Sequence, residues 1–323
     1  MKTLYIVIPC YNEEEVLPET ERRLTDKLTR MMDDGVISRK SRMVFVDDGS
    51  KDTTWELITG YYHENPLVLG VKSSRNRGHQ NALLEGLFTV KDYCDMAISM
   101  DADLQDDIEV LDEFVKQYYD GCEIVYGTRS TRKTDTFFKR FTAESYYNLL
   151  SSMGVEIVYN HADYRLMSRR AIEALMEYKE VNLFLRGIVP MIGFKTGVVS
   201  YARSSRFAGK SKYPLGKMLA FAMDGITSLS IKPIRFIMTM GVTVFFISII
   251  FLIHTFVGYF QDRTIEGWAT TIVSIWALGG LQLLAIGIIG EYIGKIYLET
   301  KGRPRFFVDQ FLSDENRESI KDM

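Results

Sequence analysis

Apolar positions in the first 130 residues fall into short unbroken runs separated by longer stretches of helical period. Leu4-Tyr5-Ile6-Val7-Ile8-Pro9, Met43-Val44-Phe45-Val46, Val68-Leu69-Gly70-Val71, Met96-Ala97-Ile98-Ser99-Met100 and Glu123-Ile124-Val125-Tyr126 read as five strands. Unbroken apolar strands belong to sheets covered on both faces, so the pattern predicts a mostly parallel α/β sheet. Helices are expected from about Thr53 and over Gly78 to Val90. Asn12, with Glu15 three residues on, has the pattern of a capping box opening another helix.

Past residue 235 the pattern changes. From Phe236 to Phe260 the one side chain that titrates near neutrality is His254, and from Trp268 to Gly290 there is none. As helices such runs reach ~35 Å, enough for a ~30 Å hydrocarbon layer, and soluble helices seldom lack a polar face over six turns. Two spans, about 236–260 and 268–290, joined by the short loop Gln261 to Gly267, predict a transmembrane hairpin. Ahead of it, Leu215, Met218, Leu219, Ala222, Ile226 and Leu229 recur at helical spacing, which predicts an amphipathic helix at the membrane surface or a core helix of the soluble part. The expected organisation is a catalytic domain over 1–213, a juxtamembrane helix over 214–233, the hairpin over 234–292 and a tail over 293–323. Removing everything after Lys232 is then expected to spare nucleotide binding.

Charge sets the orientation. Between Tyr201 and Arg235 there are seven basic residues and one acid, and Lys295, Lys301, Arg303 and Arg305 come after the second span. The loop between the spans carries only Arg263 beside Asp262 and Glu266. The positive-inside rule therefore predicts a multi-pass protein of the cell membrane with the catalytic domain and both termini in the cytoplasm. Three widely spaced cysteines, Cys10, Cys94 and Cys122, make neither a disulfide framework nor a zinc site and agree with a reducing compartment. The first nine residues read as a strand rather than a signal peptide. A net charge of −3 argues against a nucleic-acid-coating chain.

The chemistry is expected at the carboxyl ends of the strands, where ligands of α/β sheets lie. The second strand ends in Asp47-Asp48-Gly49-Ser50 and the fourth in Asp101-Ala102-Asp103-Leu104-Gln105. Carboxylates spaced by one residue on a strand-end turn can hold a hard divalent cation and leave positions open for phosphate oxygens. Each pair alone could also be an ordinary turn or helix cap. No GxGxxG follows any strand, and Gly209-Lys210-Ser211 lacks the glycine of a P-loop, since Ser204 stands in its place.

These residues resemble the inverting glycosyltransferases of family 2, of GT-A fold, and more narrowly the membrane-bound polyprenyl-phosphate glycosyltransferases related to dolichol-phosphate mannose synthase. The resemblance runs through Ile8-Pro9-Cys10-Tyr11-Asn12-Glu13, Val46-Asp47-Asp48-Gly49-Ser50 and Asn76-Arg77-Gly78 with Ala82 and Gly86. It continues in Asp101-Ala102-Asp103-Leu104-Gln105, Gly127-Thr128-Arg129, Asp163-Tyr164-Arg165-Leu166-Met167-Ser168-Arg169, and Arg206 with Gly209-Lys210-Ser211-Lys212-Tyr213. Asp107, in place of a proline, and Ala162, in place of a glycine, depart from the family pattern.

The resemblance implies a donor site made by Pro9, Tyr11, Glu13, Asp47, Asp48, Asp101, Ala102 and Asp103, closed by Arg206, Ser211 and Lys212. It implies Mg²⁺ or Mn²⁺ on Asp101, Asp103 and Gln105. Arg129, with Arg132, Lys139 or Arg140, would meet the lipid phosphate, and Asp163 would stand at the acceptor side. Asp163, Asp101 and Arg129 are the expected catalytic residues. The implied reaction moves a sugar from a nucleotide-sugar, of which UDP-glucose or UDP-N-acetylglucosamine is favoured, onto polyprenyl (undecaprenyl) phosphate with inversion, for cell-envelope glycosylation. An acceptor phosphate that is already largely dianionic needs no general base, so Asp163 is expected to position groups at least as much as to take a proton. Two other readings compete: a processive polysaccharide synthase, whose Gln-x-x-Arg-Trp motif matches no setting of Trp55, Trp268 or Trp276, and a silent sugar-nucleotide sensor or scaffold. Gly279, Gly280, Gly287 and Gly290 in the second span would permit close helix packing in a homo-oligomer.

Overall fold

The computed structural model describes residues 1–129, 161–202, 227, 230–260 and 267–321. Of the expected surface helix at 214–233, residues 214–226, 228 and 229 lie outside the described residues, as does the loop 261–266. So do the proposed phosphate contacts Arg132, Lys139, Arg140, Arg206, Ser211 and Lys212.

The five expected strands are present as β1 (Leu4–Cys10), β2 (Arg42–Asp47), β3 (Val68–Ser73), β4 (Met96–Ser99) and β5 (Ile124–Arg129). Three more strands, β6 (His161–Ser168), β7 (Thr196–Tyr201) and β8 (Val308–Leu312), complete an eight-stranded sheet in the order β7-β5-β6-β4-β1-β2-β3-β8. β1 pairs in parallel with β2 and β4, β2 with β3, and β5 with β7. β6 runs antiparallel between β4 and β5. The helices of the α/β part are α1 (Leu17–Asp33), α2 (Thr54–Glu64), α3 (His79–Val90), α4 (Leu111–Tyr119), α5 (Arg169–Met176) and α6 (Leu185–Met191).

Alternate residues of β1 enter opposite cores, as a period of two requires. Leu4, Ile6 and Ile8 pack with Leu24, Leu28, Leu111 and Phe114 under α1 and α4. Tyr5 and Val7 pack with Leu83, Leu84, Leu87 and Ile172 under α3 and α5. Both faces of the strand are buried, which is why its sequence shows no polar alternation. At Gly86 a Cβ would stand 2.5 Å from Val7 Cγ1 and 2.6 Å from Val46 Cγ2, so glycine lets α3 lie directly on β1 and β2. All three cysteines are buried and unpaired.

One local expectation is corrected. α1 begins at Leu17, its N-cap Val16 makes no side-chain cap, and Pro18 stands in its first turn. Asn12 instead adopts φ 52°, donates its N–H to Ser50 Oγ at 3.0 Å and accepts Lys51 N–H at 2.8 Å on its Oδ1. It ties the loop after β1 to the loop after β2, and that tertiary link takes the side chain a cap would have used.

The carboxyl-terminal third contains α7 (Lys232–Phe260) and α8 (Trp268–Thr300), helices of 29 and 33 residues. Both present apolar side chains outward, with Phe236 67%, Ile250 66% and Leu283 72% exposed. Among the described residues one stretch, Ala277–Thr300, is long and apolar enough to cross a membrane, with mean hydropathy 1.5.

The chain then returns to the sheet. β8 pairs antiparallel with β3, Gly70 facing Leu312 and Lys72 facing Gln310. α9 (Asp314–Lys321) comes next, and the Arg317 guanidinium donates to the carbonyls of Tyr62, Pro66 and Val68 at 2.7–2.8 Å. Tyr62 Oη donates in turn to Ser313 O at 2.9 Å. The segment 293–323 thus supplies an edge strand and its lock, which its mixed pattern did not announce. A truncation after Lys232 would remove both and uncover β3.

Candidate active site

The loops after β1, β2 and β4 meet at one end of the sheet. The first corner is structural. Asp48, 2% exposed, accepts the backbone N–H groups of Arg77 at 2.6 Å and Gly78 at 2.8 Å. This carboxylate shapes the turn that opens α3, so its two oxygens serve the fold. Gly49 beside it has φ 67°, and a Cβ there would stand 2.6 Å from Asn76 N. Asp47, 1% exposed, accepts Ser50 N–H on Oδ1, while its Oδ2 has no hydrogen-bond partner among the described residues. Burial pushes both carboxyls above their ordinary range. Of this pair, Asp47 is the one with an oxygen free to meet a ligand. Pro9 is buried in β1, and Tyr11 (36% exposed) and Glu13 stand in the loop beyond it.

The second corner carries the acids. Asp101 lies just past β4, 3.4 Å from His79 Nε2, the first residue of α3. Burial pushes the Asp101 carboxyl up to about 6, His79 opposes this, and the nearby Asp106, Asp163 and Asp103 raise it further. Ala102 is buried, and its carbonyl accepts Thr20 Oγ1 at 2.8 Å. Leu104 has φ 56°, a sharp reversal that lets Gln105 N–H reach Asp103 Oδ1 at 3.2 Å. Asp106 is 3% exposed, and its Oδ1 accepts Tyr201 Oη at 2.5 Å and Arg129 Nη2 at 3.4 Å. Asp107 caps the short turn Ile108–Val110 through Glu109 N–H at 2.9 Å, the turn-forming role its departure from proline left open.

The third corner is an ion-pair cluster on β6 and α6. Asp163 Oδ1 accepts Arg165 Nη2 at 2.8 Å, and its Oδ2 accepts Arg186 Nη2 at 3.2 Å. Burial alone would raise this carboxyl, but Arg186, Arg165 and then His79 outweigh it and hold it well below the ordinary carboxylate range. Arg165 is itself 2% exposed, so the pair is shielded from water. A carboxylate held this firmly is a weak base.

The structure thus brings Asp101, Asp103, Gln105, Arg129 and Asp163 to one crest of the sheet. It adds His79, Asp106, Tyr201 and Arg186, which the sequence did not single out. His79 directly succeeds the Asn76-Arg77-Gly78 motif, and Arg186 is a lone cation in the apolar run from Leu183 to Pro190, so both left a trace. Asp106 and Tyr201 left none, since their meeting depends on β5 pairing with β7.

The residues suit a divalent cation. Asp101, Asp103 and Gln105 offer hard oxygen donors, and Asp101 stands among three further carboxylates whose negative charge raises its proton affinity. Among the described residues no group of three or more His, Cys, Asp and Glu side chains is set to hold a metal.

A mostly parallel eight-stranded sheet thus carries a cluster of carboxylates and guanidiniums at one end and is followed by two long apolar helices. Residues 5–176 match the model of glycosyl transferase family 2, and residues 232–296 match the GtrB C-terminal hairpin. The chain belongs to glycosyl transferase family 2, with the mostly parallel GT-A fold, and is a glycosyltransferase.

Among its relatives is the Bacillus subtilis (strain 168) glycosyltransferase YkoT, 54% identical over 97% of this chain and 93% of that protein. The bactoprenol glucosyl transferase of Shigella phage SfX is 39% identical over 94% of this chain and 97% of that protein. A solved structure of glucosyl-3-phosphoglycerate synthase from Mycobacterium tuberculosis is similar at 17% identity, over 71% of this chain and 78% of that one, with TM-score 0.44.

Proposed function

We propose that this glycosyltransferase moves a sugar from a nucleoside-diphosphate sugar to a polyprenyl phosphate, inverting the anomeric carbon. The observation that carries the reading is the full-length likeness to a bactoprenol glucosyl transferase, which extends through the hairpin and not only the sheet. Glucose or N-acetylglucosamine on UDP is the favoured donor. The two apolar helices anchor the enzyme in the cell membrane, with the catalytic domain and both termini on the cytoplasmic side, where the isoprenoid headgroup can enter the crevice. Apolar exposure of this extent on α7 and α8 is stable in lipid and not in water.

In this reading the nucleoside lies along Pro9, Tyr11 and Glu13 and against Asp47. Asp101, Asp103 and Gln105 would hold Mg²⁺ or Mn²⁺, which would supply charge neutralisation for the leaving diphosphate. Arg129 meets the acceptor phosphate, its planar fork suited to two phosphate oxygens, while Asp106 and Tyr201 hold its guanidinium. Burial and the Asp106 carboxylate push the Tyr201 phenol up, so it remains a hydrogen-bond donor. Asp163 keeps Arg165 and Arg186 oriented over the crevice. The phosphate oxygen attacks without a base because it carries its charge already. Arg132, Lys139 and Arg140, and Arg206, Ser211 and Lys212, belong to the same reading through their motifs.

The test is a panel of labelled UDP- and GDP-sugars offered to the purified full-length protein in bilayers with undecaprenyl phosphate and Mg²⁺ or Mn²⁺. Chelator-sensitive formation of a labelled glycolipid from one donor is the expected result. Donor binding with no glycolipid from any donor would overturn the reading and leave a sensor.

A further inference from the structure

The end of α8 touches the reaction centre through one short loop. Residues 177–184 join α5 to α6, and Glu299, in the last turn of α8, grips that loop from outside. Its Oε1 accepts the N–H of Val181 at 2.9 Å, the N–H of Asn182 at 2.8 Å and Asn182 Nδ2 at 2.8 Å. Its Oε2 accepts Val181 N–H at 2.8 Å. Arg305, beyond the helix, donates to Tyr178 O in the same loop. Two side chains of opposite charge from the segment after the sheet core therefore hold the backbone of this loop, whose Tyr178 and Leu183 also pack against the second core.

The loop leads directly into catalytic ground. Three residues past Asn182, Leu185 opens α6, with its N–H on Gln80 Oε1 at 2.8 Å and its carbonyl accepting Arg165 Nη1 at 3.4 Å. Arg186 comes next and pairs with Asp163. α6 has only seven residues, and its Leu185, Ile188 and Val189 are buried in the second core. Its entry is held in addition at residues 181 and 182 by a charge-assisted grip on successive backbone N–H groups.

We propose that Glu299 is a positioning residue. By fixing Val181 and Asn182 it aims α6 so that Arg186 faces Asp163, and it thereby conveys the seating of the apolar hairpin to the reaction centre. Leu185 is the shared joint, since it also receives α3 through Gln80 and β6 through Arg165. A domain detached from its hairpin would keep its acids and lose the aim of its arginine.

The kinetic arm of the test rests on the sugar-transfer reading, and the exchange arm does not. In the full-length protein, Glu299→Ala is expected to lower kcat by about ten- to a hundred-fold, the scale of a small misplacement of reacting groups, with donor KM changed less than about twofold. Glu299→Gln keeps one acceptor oxygen and is expected to recover part of that loss. Amide hydrogen exchange over residues 181–187 should quicken by about tenfold in Glu299→Ala while that of β1 and β2 does not. Unchanged exchange at 181–187, or acceleration shared equally by the whole sheet, would overturn the positioning role. A turnover unchanged in Glu299→Ala would do the same. A wild-type protein that transfers no sugar would remove the functional reading and leave the exchange result to judge Glu299.

Discussion

Arg186 and Asp163 belong to different elements, α6 and β6, and meet at 3.2 Å over the crest of the sheet. Arg165, two residues past Asp163 on the same strand, completes the triplet at 2.8 Å and is almost wholly buried. One carboxylate thus answers two guanidiniums, one from its own strand and one from α6.

Asp163→Asn should cost both activity and stability. It leaves Arg165 buried without its counter-ion, a loss of about 3 kcal/mol by analogy with broken buried pairs. The Asp163 carboxyl titrates lower in the fold than its unfolded value of about 3.9, so the stabilisation is complete above that value and drains away as pH falls through the folded one. Chemical denaturation of the two proteins should show a constant gap from about pH 8 to pH 5 and a closing gap below about pH 4. Arg186→Ala, which leaves Asp163 in place, should lose at least about 100-fold in turnover, as a positioning role requires. A base role would leave Arg186→Ala far more active than Asp163→Asn.

Glu85 sets the opposite sign. It is 0% exposed in α3, accepts Ser73 Oγ on Oε2, and has no partner for Oε1 among the described residues. Burial raises its carboxyl above the ordinary range, with Ser73 opposing and Asp48 adding to the rise. Ionised Glu85 therefore weakens the fold above its folded pKa, and stability returns as pH falls through it. Glu85→Gln is expected to stabilise the protein at pH 8 by about 1 kcal/mol, with the advantage shrinking toward pH 5. Urea midpoints at the two pH values measure it.

Gly49→Ala tests the turn that Asp48 builds. The new methyl would press on Asn76 N at a backbone angle that disfavours side chains, so residues 75–78 must move. Because His79 is next in the chain, donor affinity should fall by about tenfold or more, read as a UDP-sugar dissociation constant by calorimetry.

Arg317→Ala tests the lock on β8. Three carbonyls, those of Tyr62, Pro66 and Val68, lose their donor, at about 1–3 kcal/mol in total after water is admitted. The melting midpoint should fall by several degrees. Deleting residues 308–321 should go further and produce aggregation, because β3 would become an open edge.

The sequence made the first five strands legible because each is an apolar run bounded by polar turns, and buried parallel strands admit no other pattern. The family motifs, read with them, singled out Asp101, Asp103, Arg129 and Asp163, side chains that lie near one end of the sheet. β6 and β8 were illegible for a physical reason. β6 carries Asp163 and Arg165 in its interior, so its charges mimic a loop, and β8 is an exposed edge whose Asp309 and Gln310 face away from any core. Asn12 looked like a helix cap because the local pattern was right, and a tertiary partner at Lys51 overrode it. Arg186 was passed over because its importance comes from α6 folding back over β6, which no spacing along the chain encodes.

β8 also dictates an order of events during synthesis. β3 is made by residue 73, yet the strand that covers its edge emerges only at residues 308–312, after both long apolar helices have left the ribosome. Until then the nascent sheet carries an unfilled slot that its own chain can fill only after both long apolar helices have been made. Closure of the sheet therefore follows synthesis of the two long helices, and a chain that lost residues 308–312 would leave β3 open.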